Sequence, residues 1–252
     1  MLKYEHVNVA VSRTNILNDI NITFPKGQIT TIIGPNGCGK TTLLQCLNGC
    51  SKVTAGTITV DNENILSLPL KERAKSRAFL PQIRTVIPVL PVRTLVEHGR
   101  FPYLGFTRRK TDKDNEIVNN SMEFTNVMPY SEDNTDTLSG GIRQRVFFSM
   151  ILAQDSRIII MDEPVTYLDL EGKRTFFSMV NKLKKSGKTI ILVLHDLSDA
   201  IRISDNLVIM NDRKIAISDT PANCLKTHII EDVFHTTYKK FSDDEGDYYI
   251  FM

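Results

Sequence analysis

Residues 34–41, Gly-Pro-Asn-Gly-Cys-Gly-Lys-Thr, match the pattern G-x-x-x-x-G-K-[ST] between a short β-branched run, Gln28 to Ile33, and a stretch from Thr41 to Leu47 that reads as a helix. Strand, glycine-rich turn and helix in that order constrain the fold strongly. The glycines let successive backbone N–H groups turn inward around phosphate oxygens, and the helix start adds its positive end. Lys40 bridges the outer phosphates, and the Thr41 hydroxyl is a ligand for Mg²⁺. The candidate phosphate-binding residues are therefore Gly34, Pro35, Asn36, Gly37, Cys38, Gly39, Lys40, Thr41 and Thr42. An amide nest can lower the pKa of a thiol at Cys38, but a small residue filling a permissive position is the favoured reading.

Length and charge bound the rest. A chain of 252 residues suits a single α/β unit with one sizeable insertion. With 31 Lys plus Arg against 29 Asp plus Glu, the net charge of +2 gives no field that argues for nucleic acid as a partner. Anion binding must come from a local site. The four cysteines, Cys38, Cys46, Cys50 and Cys224, read as reduced cytosolic thiols, because Glu5 and His6 interrupt the start of the chain where a signal peptide needs an apolar stretch. The longest apolar run, Ile190 to Leu194, is far below the roughly 18 residues a membrane span requires.

Short antiparallel strands are expected to about Thr23, a turn at Pro25-Lys26-Gly27, and a strand pair over residues 53–60. The middle, from about Gln82 to Asp136, carries Pro88, Pro91 and Pro102 and a charged turn at 107–114, and reads as an inserted, mostly helical subdomain. Arg157 to Met161 and Thr189 to Leu194 have the apolar character of parallel strands buried on both faces. Between them Phe176, Met179, Val180 and Leu183 recur at helical spacing, and Gly187 is placed to end the helix. Such a crossover implies a parallel sheet. The acidic tail from Phe241 ends Tyr-Tyr-Ile-Phe, which predicts an ordered terminal strand or packed end.

Asp162 and Glu163 close the second apolar run, at the strand end where open α/β sheets place their ligands. Asp162 suits Mg²⁺ through water, and Glu163 suits polarisation of an attacking water. The alternative is a helix cap before Pro164. Leu138-Ser-Gly-Gly-Ile-Arg-Gln144 then precedes a helical stretch, Val146 to Ala153, so that the Ser139 hydroxyl and the Gly140 and Gly141 amides can form a second anion site.

This last segment resembles the LSGGQ signature of ATP-binding-cassette (ABC) ATPases, and the resemblance extends in order to Gln82 (the Q-loop), Tyr167-Leu168-Asp169 (the D-loop) and His195 (the switch histidine). It implies an α/β fold: a P-loop NTPase core with a mainly parallel sheet, an N-terminal antiparallel β subdomain and a helical subdomain over about 84–155, all within one ATPase domain of residues 1–252. It also implies roles for Glu163, His195 and Gln82 as catalytic residues, for Thr41, Gln82 and Asp162 toward Mg²⁺, and for Ser139, Gly140 and Gly141 toward ATP held by the other subunit of a head-to-tail homodimer. The cofactors implied are ATP and Mg²⁺.

Val92 to Gly105 is similar to the V-x-x-L-V-x-x-G-R-x-P-Y-x-G segment of the subfamily that powers iron-siderophore, haem and cobalamin import, and Asp219-Thr-Pro and Ile229 to Phe234 resemble its ending. The implied partners are transmembrane permease subunits and, indirectly, an extracellular or periplasmic binding protein. The implied location is the cytoplasmic face of the membrane. An exporter ATPase and a soluble ABC ATPase of cluster assembly, DNA maintenance or translation remain alternatives. Val86, Ile87, Val89, Leu90, Leu95, Phe101, Tyr103, Leu104 and Phe106 are more apolar groups than a small insert easily buries, so some are expected to line a permease-docking groove. Two departures stand out. Thr166-Tyr167 occupies a place where the family has a small residue, and the adenine-stacking aromatic position falls on Val11, with Arg13 as a substitute.

Overall fold

The computed structural model describes residues 1–11, 14–82, 88–105, 109–166, 168–243 and 246–252. The chain forms two compact units, Met1–Leu68 with Gly187–Met252, and Pro69–Ser186.

The first unit opens with β1 (Leu2–Val11) and β2 (Thr14–Phe24), paired antiparallel from Leu2↔Phe24 to Val11↔Thr14. The short strands expected here are one long ribbon. His6 and Asp19 adopt left-handed φ values of 53° and 49° at register shifts, and the Asn21 and Asn8 side chains accept from their amides at 2.9 Å. The turn-forming residues thus make bulges that leave the strands unbroken. β3 (Ile29–Ile33) is buried throughout and leads through the glycine-rich turn into α1 (Lys40–Asn48).

β4 (Val53–Val60) is a single strand rather than the expected pair, antiparallel to β1. The reason is Gly56: at φ +88° it forms a bulge in which a Cβ would lie 2.3 Å from the His6 carbonyl oxygen. β5 (Glu63–Asn64) completes an antiparallel sheet of order β2-β1-β4-β5.

The second unit contains α2 (Leu70–Ser76), β6 (Arg77–Leu80), α3 (Val92–Glu97), α4 (Asp112–Phe124), α5 (Gly140–Ala153), β7 (Ile158–Asp162) and α6 (Leu170–Lys185). β6 and β7 are parallel, in register from Arg77↔Ile158 to Leu80↔Met161. Val92, Leu95 and Val96 of α3, Val118 and Met122 of α4 and Val146 of α5 share one buried cluster, so the insert has its own core. α6 buries Phe176, Met179, Val180 and Leu183 as their spacing predicts.

The chain then returns to the first unit. β8 (Thr189–Val193) and, after α7 (Leu197–Ile203), β9 (Asn206–Asn211) flank β3, both parallel to it, and β10 (Lys214–Asp219) runs antiparallel beside β9. After α8 (Pro221–Lys226) and α9 (Ile229–Phe234), the tail forms a hairpin of β11 (Tyr238–Asp243) and β12 (Gly246–Phe251). Tyr238 packs on Tyr249 and Phe251, and the Ser198 hydroxyl of α7 donates to the Tyr249 carbonyl at 2.7 Å. The expected fold class is observed: an α/β chain with parallel central strands, an antiparallel N-terminal sheet and a helical insert.

Candidate functional site

In the first unit the site is built at the C-terminal edge of β3. A Cβ at Gly34 would lie 2.4 Å from the Met210 carbonyl oxygen, so the turn hugs β9 only because this residue is glycine. Gly39, at φ 106°, is the N-cap of α1 and has no capping side chain. The N-cap residue therefore takes up none of the first amides of the helix, which suits an external acceptor there.

Lys40 is 7% exposed, and its ammonium donates to the carbonyls of Gly34 at 2.6 Å and Pro35 at 3.0 Å. A buried cation held by neutral carbonyls is a costly arrangement that an anion in the turn relieves. The residues present thus fit the phosphates of a nucleotide. Cys38 is buried, and burial pushes its thiol above the ordinary value against the opposing pull of Lys40, which supports its reading as a packed small residue. Thr41 is exposed at the helix start and Thr42 follows it. β8 lies beside β3, with the Leu194 amide donating to the Ile32 carbonyl at 3.4 Å, so His195 sits exposed on the same strand edge as the phosphate loop.

In the second unit β6 and β7 bring together two predicted residues 81 positions apart, for the Gln82 amide donates to the Glu163 carboxylate. The Thr166 hydroxyl also lies 3.4 Å from that carboxylate, a partner that sequence reasoning passed over although it had marked Thr166 as unusual. Glu163 adopts φ 52°, a left-handed value that a side chain takes up at a cost of about 1 to 3 kcal/mol and that clusters at active sites. The helix-cap alternative for this pair is not what forms, since the residue that caps α6 is Asp169, whose carboxylate accepts from the Gly172 amide at 2.7 Å. Asp162, 2% exposed, ends β7. Among the described residues no three His, Cys, Asp or Glu side chains cluster to cage a metal. A single buried carboxylate suits Mg²⁺, which is held by few protein ligands together with substrate phosphates.

The signature begins α5, with the Ser139 hydroxyl as its N-cap. Gly140 and Gly141 are informative because nothing among the described residues demands them. A Cβ at Gly140 would meet no atom within 4 Å, and one at Gly141 would make only an ordinary 3.7 Å contact with Leu168. Their bareness faces outward, beside a cleft of about 430 Å³ lined by Ser139, Gly141, Arg145, Leu168 and Asp169. Farther along α5, the Gln144 amide donates to the Pro164 carbonyl at 2.8 Å and ties the signature helix to the turn that carries Glu163.

Val11 is 59% exposed at the end of β1, and Tyr4 cannot replace the missing aromatic, being buried with its hydroxyl donated to the Leu43 carbonyl at 2.8 Å. Arg13 and Tyr167 lie outside the described residues.

The family model described as ABC transporter matches residues 17–166. The chain belongs to the ABC transporter family. It is 38% identical over 234 residues to the petrobactin import ATP-binding protein FpuD of Bacillus anthracis, covering 92% of this chain and 86% of that protein. It is 36% identical to the iron(3+)-hydroxamate import ATP-binding protein FhuC of Bacillus subtilis, covering 92% of this chain and 87% of that one. A bacterial ABC transporter cassette solved as a dimer matches with a TM-score of 0.77 and 25% identity, over 88% of this chain and 99% of that chain. This chain is thus an ATP-binding cassette of the ABC type, and among its described residues no helix is long and apolar enough to cross a membrane.

Proposed function

We propose that this ABC ATPase, as one domain spanning residues 1–252, powers an importer for iron–siderophore complexes. The observation that carries the reading is its likeness to the petrobactin and iron-hydroxamate import proteins over 92% of its length. It works as a homodimer on the cytoplasmic face of the membrane, bound to transmembrane permease subunits that a binding protein outside the cell supplies with cargo. Glycines at 140 and 141 that no contact among the described residues requires support a signature turned toward nucleotide on a second copy.

Hydrolysis is in-line attack of water on the γ-phosphate of ATP. The amides of residues 34–42 and the Lys40 ammonium hold the phosphates and stabilise the charge that develops on them. Glu163 polarises the water, Gln82 fixes the Glu163 carboxylate, and His195 contacts the γ-phosphate. Thr41, Asp162 and Gln82 would hold Mg²⁺, which supplies neutralisation of phosphate charge when bound. Asp169 contributes at the subunit boundary through the loop it closes.

The test is uptake of radioactive iron presented as a siderophore complex by cells lacking the gene, with wild-type and Glu163→Gln copies restored. Loss of uptake rescued only by the wild type supports the reading. Unimpaired uptake with defective export, or a chain that fractionates away from membranes whether or not a permease is present, overturns it.

A further inference from the structure

We infer that Arg100 is a positioning residue that couples the exposed segment Phe101–Leu104 to the signature helix α5. The inference rests on the importer reading above and concerns how an event at the permease reaches the nucleotide-sensing end of the cassette.

Arg100 is 4% exposed, and its guanidinium is engaged on three sides. Nε donates to Asp114 Oδ1 at 2.9 Å, Nη1 donates to the Ala153 carbonyl at 2.8 Å, and the guanidinium carbon stands 4.0 Å from the centre of the Tyr103 ring. Each contact belongs to a different element. Asp114 sits in the capping box of α4, where it also accepts from the Thr111 amide and hydroxyl, so that anchor is fixed. Ala153 is the last residue of α5, and a cation at a helix C-terminus both satisfies an open carbonyl and opposes the helix dipole. Tyr103 lies in the short 3₁₀ turn whose Phe101 and Tyr103 side chains are among the exposed apolar groups of the insert.

The preceding residue points the same way. A Cβ at Gly99 would lie 2.2 Å from the Met150 carbonyl oxygen and 3.0 Å from the Ala153 Cβ. Glycine there lets the backbone press against the last turn of α5, which is the approach that delivers the guanidinium to Ala153. The other end of the helix is the signature. α5 runs 14 residues, about 21 Å, from Gly140 to Ala153 without a break. A partner that shifts Phe101–Leu104 therefore pulls on the C-terminal end of a rigid rod whose N-terminal end is Ser139-Gly140-Gly141.

Only a fork of donors on a flat cation makes all three contacts at once; a lysine ammonium is a point charge and can keep one or two of them. A residue that merely cements the insert and one that transmits movement are distinguished by the ratio of permease-stimulated to basal ATP hydrolysis, which cementing does not move in a folded protein. The experiment is to reconstitute the full transporter in vesicles with wild-type chain, Arg100→Lys or Asp114→Asn, and to measure that ratio together with kcat and KM of the purified subunit.

In folded Arg100→Lys, basal kcat and KM should stay within about twofold of wild type and the variant should still co-purify with permease, while stimulation falls about tenfold, the scale of an ordinary coupling free energy. Asp114→Asn, which leaves the Ala153 and Tyr103 contacts in place, should lose a smaller share, and it decides the matter if Arg100→Lys does not fold. Wild-type stimulation in either folded variant that decides the test, or stimulation that falls only in step with basal activity, overturns the coupling role and leaves the importer reading standing. A wild-type chain that associates with no permease overturns both.

Discussion

Glu163 shows how much chemistry a single position can concentrate. Its backbone is left-handed, and its carboxylate is gripped by the Gln82 amide with the Thr166 hydroxyl alongside. Glu163→Gln keeps the shape and removes the charge, so ATP should still bind while hydrolysis falls by about 10² to 10⁴, the usual worth of a positioned base. Single-turnover hydrolysis set against equilibrium nucleotide binding separates the two effects. Lys40→Ala should do the reverse and weaken ATP binding itself, because a charge-assisted contact worth about 1.5 to 3 kcal/mol disappears. Val11 offers a gain instead. Stacking a base on an aromatic is worth about 1 to 3 kcal/mol, so Val11→Tyr should tighten ATP and sharpen its preference over GTP. Fluorescent nucleotide titration reads this directly, and if Arg13 already stacks the base, Arg13→Ala weakens binding and Val11→Tyr changes little.

At the scale of elements, the helical insert depends on a buried ion pair joined to a capping box. Burial alone would raise the Asp114 carboxyl, but the Thr111 amide and hydroxyl and the Arg100 guanidinium outweigh it and hold its pKa below the ordinary 3.8. A depressed folded pKa means the stabilisation is fully present above the unfolded value and is lost as pH falls through the folded one. Thermal unfolding between about pH 6 and pH 2 should therefore show wild type losing its advantage over Asp114→Asn as the medium becomes acid. An advantage that persisted in acid would contradict the assignment. The spacing of Thr111 and Asp114 is a local capping signal, but the ion pair could not be read from the sequence, because Arg100, Asp114 and Ala153 meet only after three separate elements have folded. What could be read was local: the β-branched run before Gly34, the spacing of Phe176, Met179, Val180 and Leu183, and the strand that ends at Asp162 all took the predicted form. The N-terminal strands are antiparallel as expected but longer, for an intelligible reason. Asn8, Asp19 and Asn21 are turn-formers by composition, yet here Asp19 forms a bulge within its strand, and the Asn8 and Asn21 side chains accept from the bulge amides of Asp19 and His6. The contact of Gln82 with Glu163 was equally out of reach, since its two residues follow the ends of neighbouring parallel strands and their roles alone were foreseeable.

For the whole molecule the question is where work leaves the cassette. Of the apolar groups expected to line a docking groove, Leu95 has gone into the core of the insert, Val89, Phe101 and Tyr103 stand exposed at 66%, 56% and 37%, and Leu90 and Leu104 are half-buried. Val86, Ile87 and Phe106 lie outside the described residues. The insert therefore has a core of its own and still presents an apolar face. Exposed apolar surface beside charged groups is the kind of patch at which partners bind. A carboxylate introduced there costs the folded subunit little and costs an apolar contact with a partner a great deal, because the charge would have to be desolvated. Phe101→Asp and Leu104→Asp should leave the purified subunit folded and hydrolysing ATP at its basal rate, yet abolish co-purification with permease and uptake of iron–siderophore complexes. Circular dichroism and basal ATPase assays check the first half, and pull-down with transport assays checks the second. Uptake that survives both substitutions in folded protein would mean that the permease docks elsewhere, and the exposed face of the insert would need another occupant.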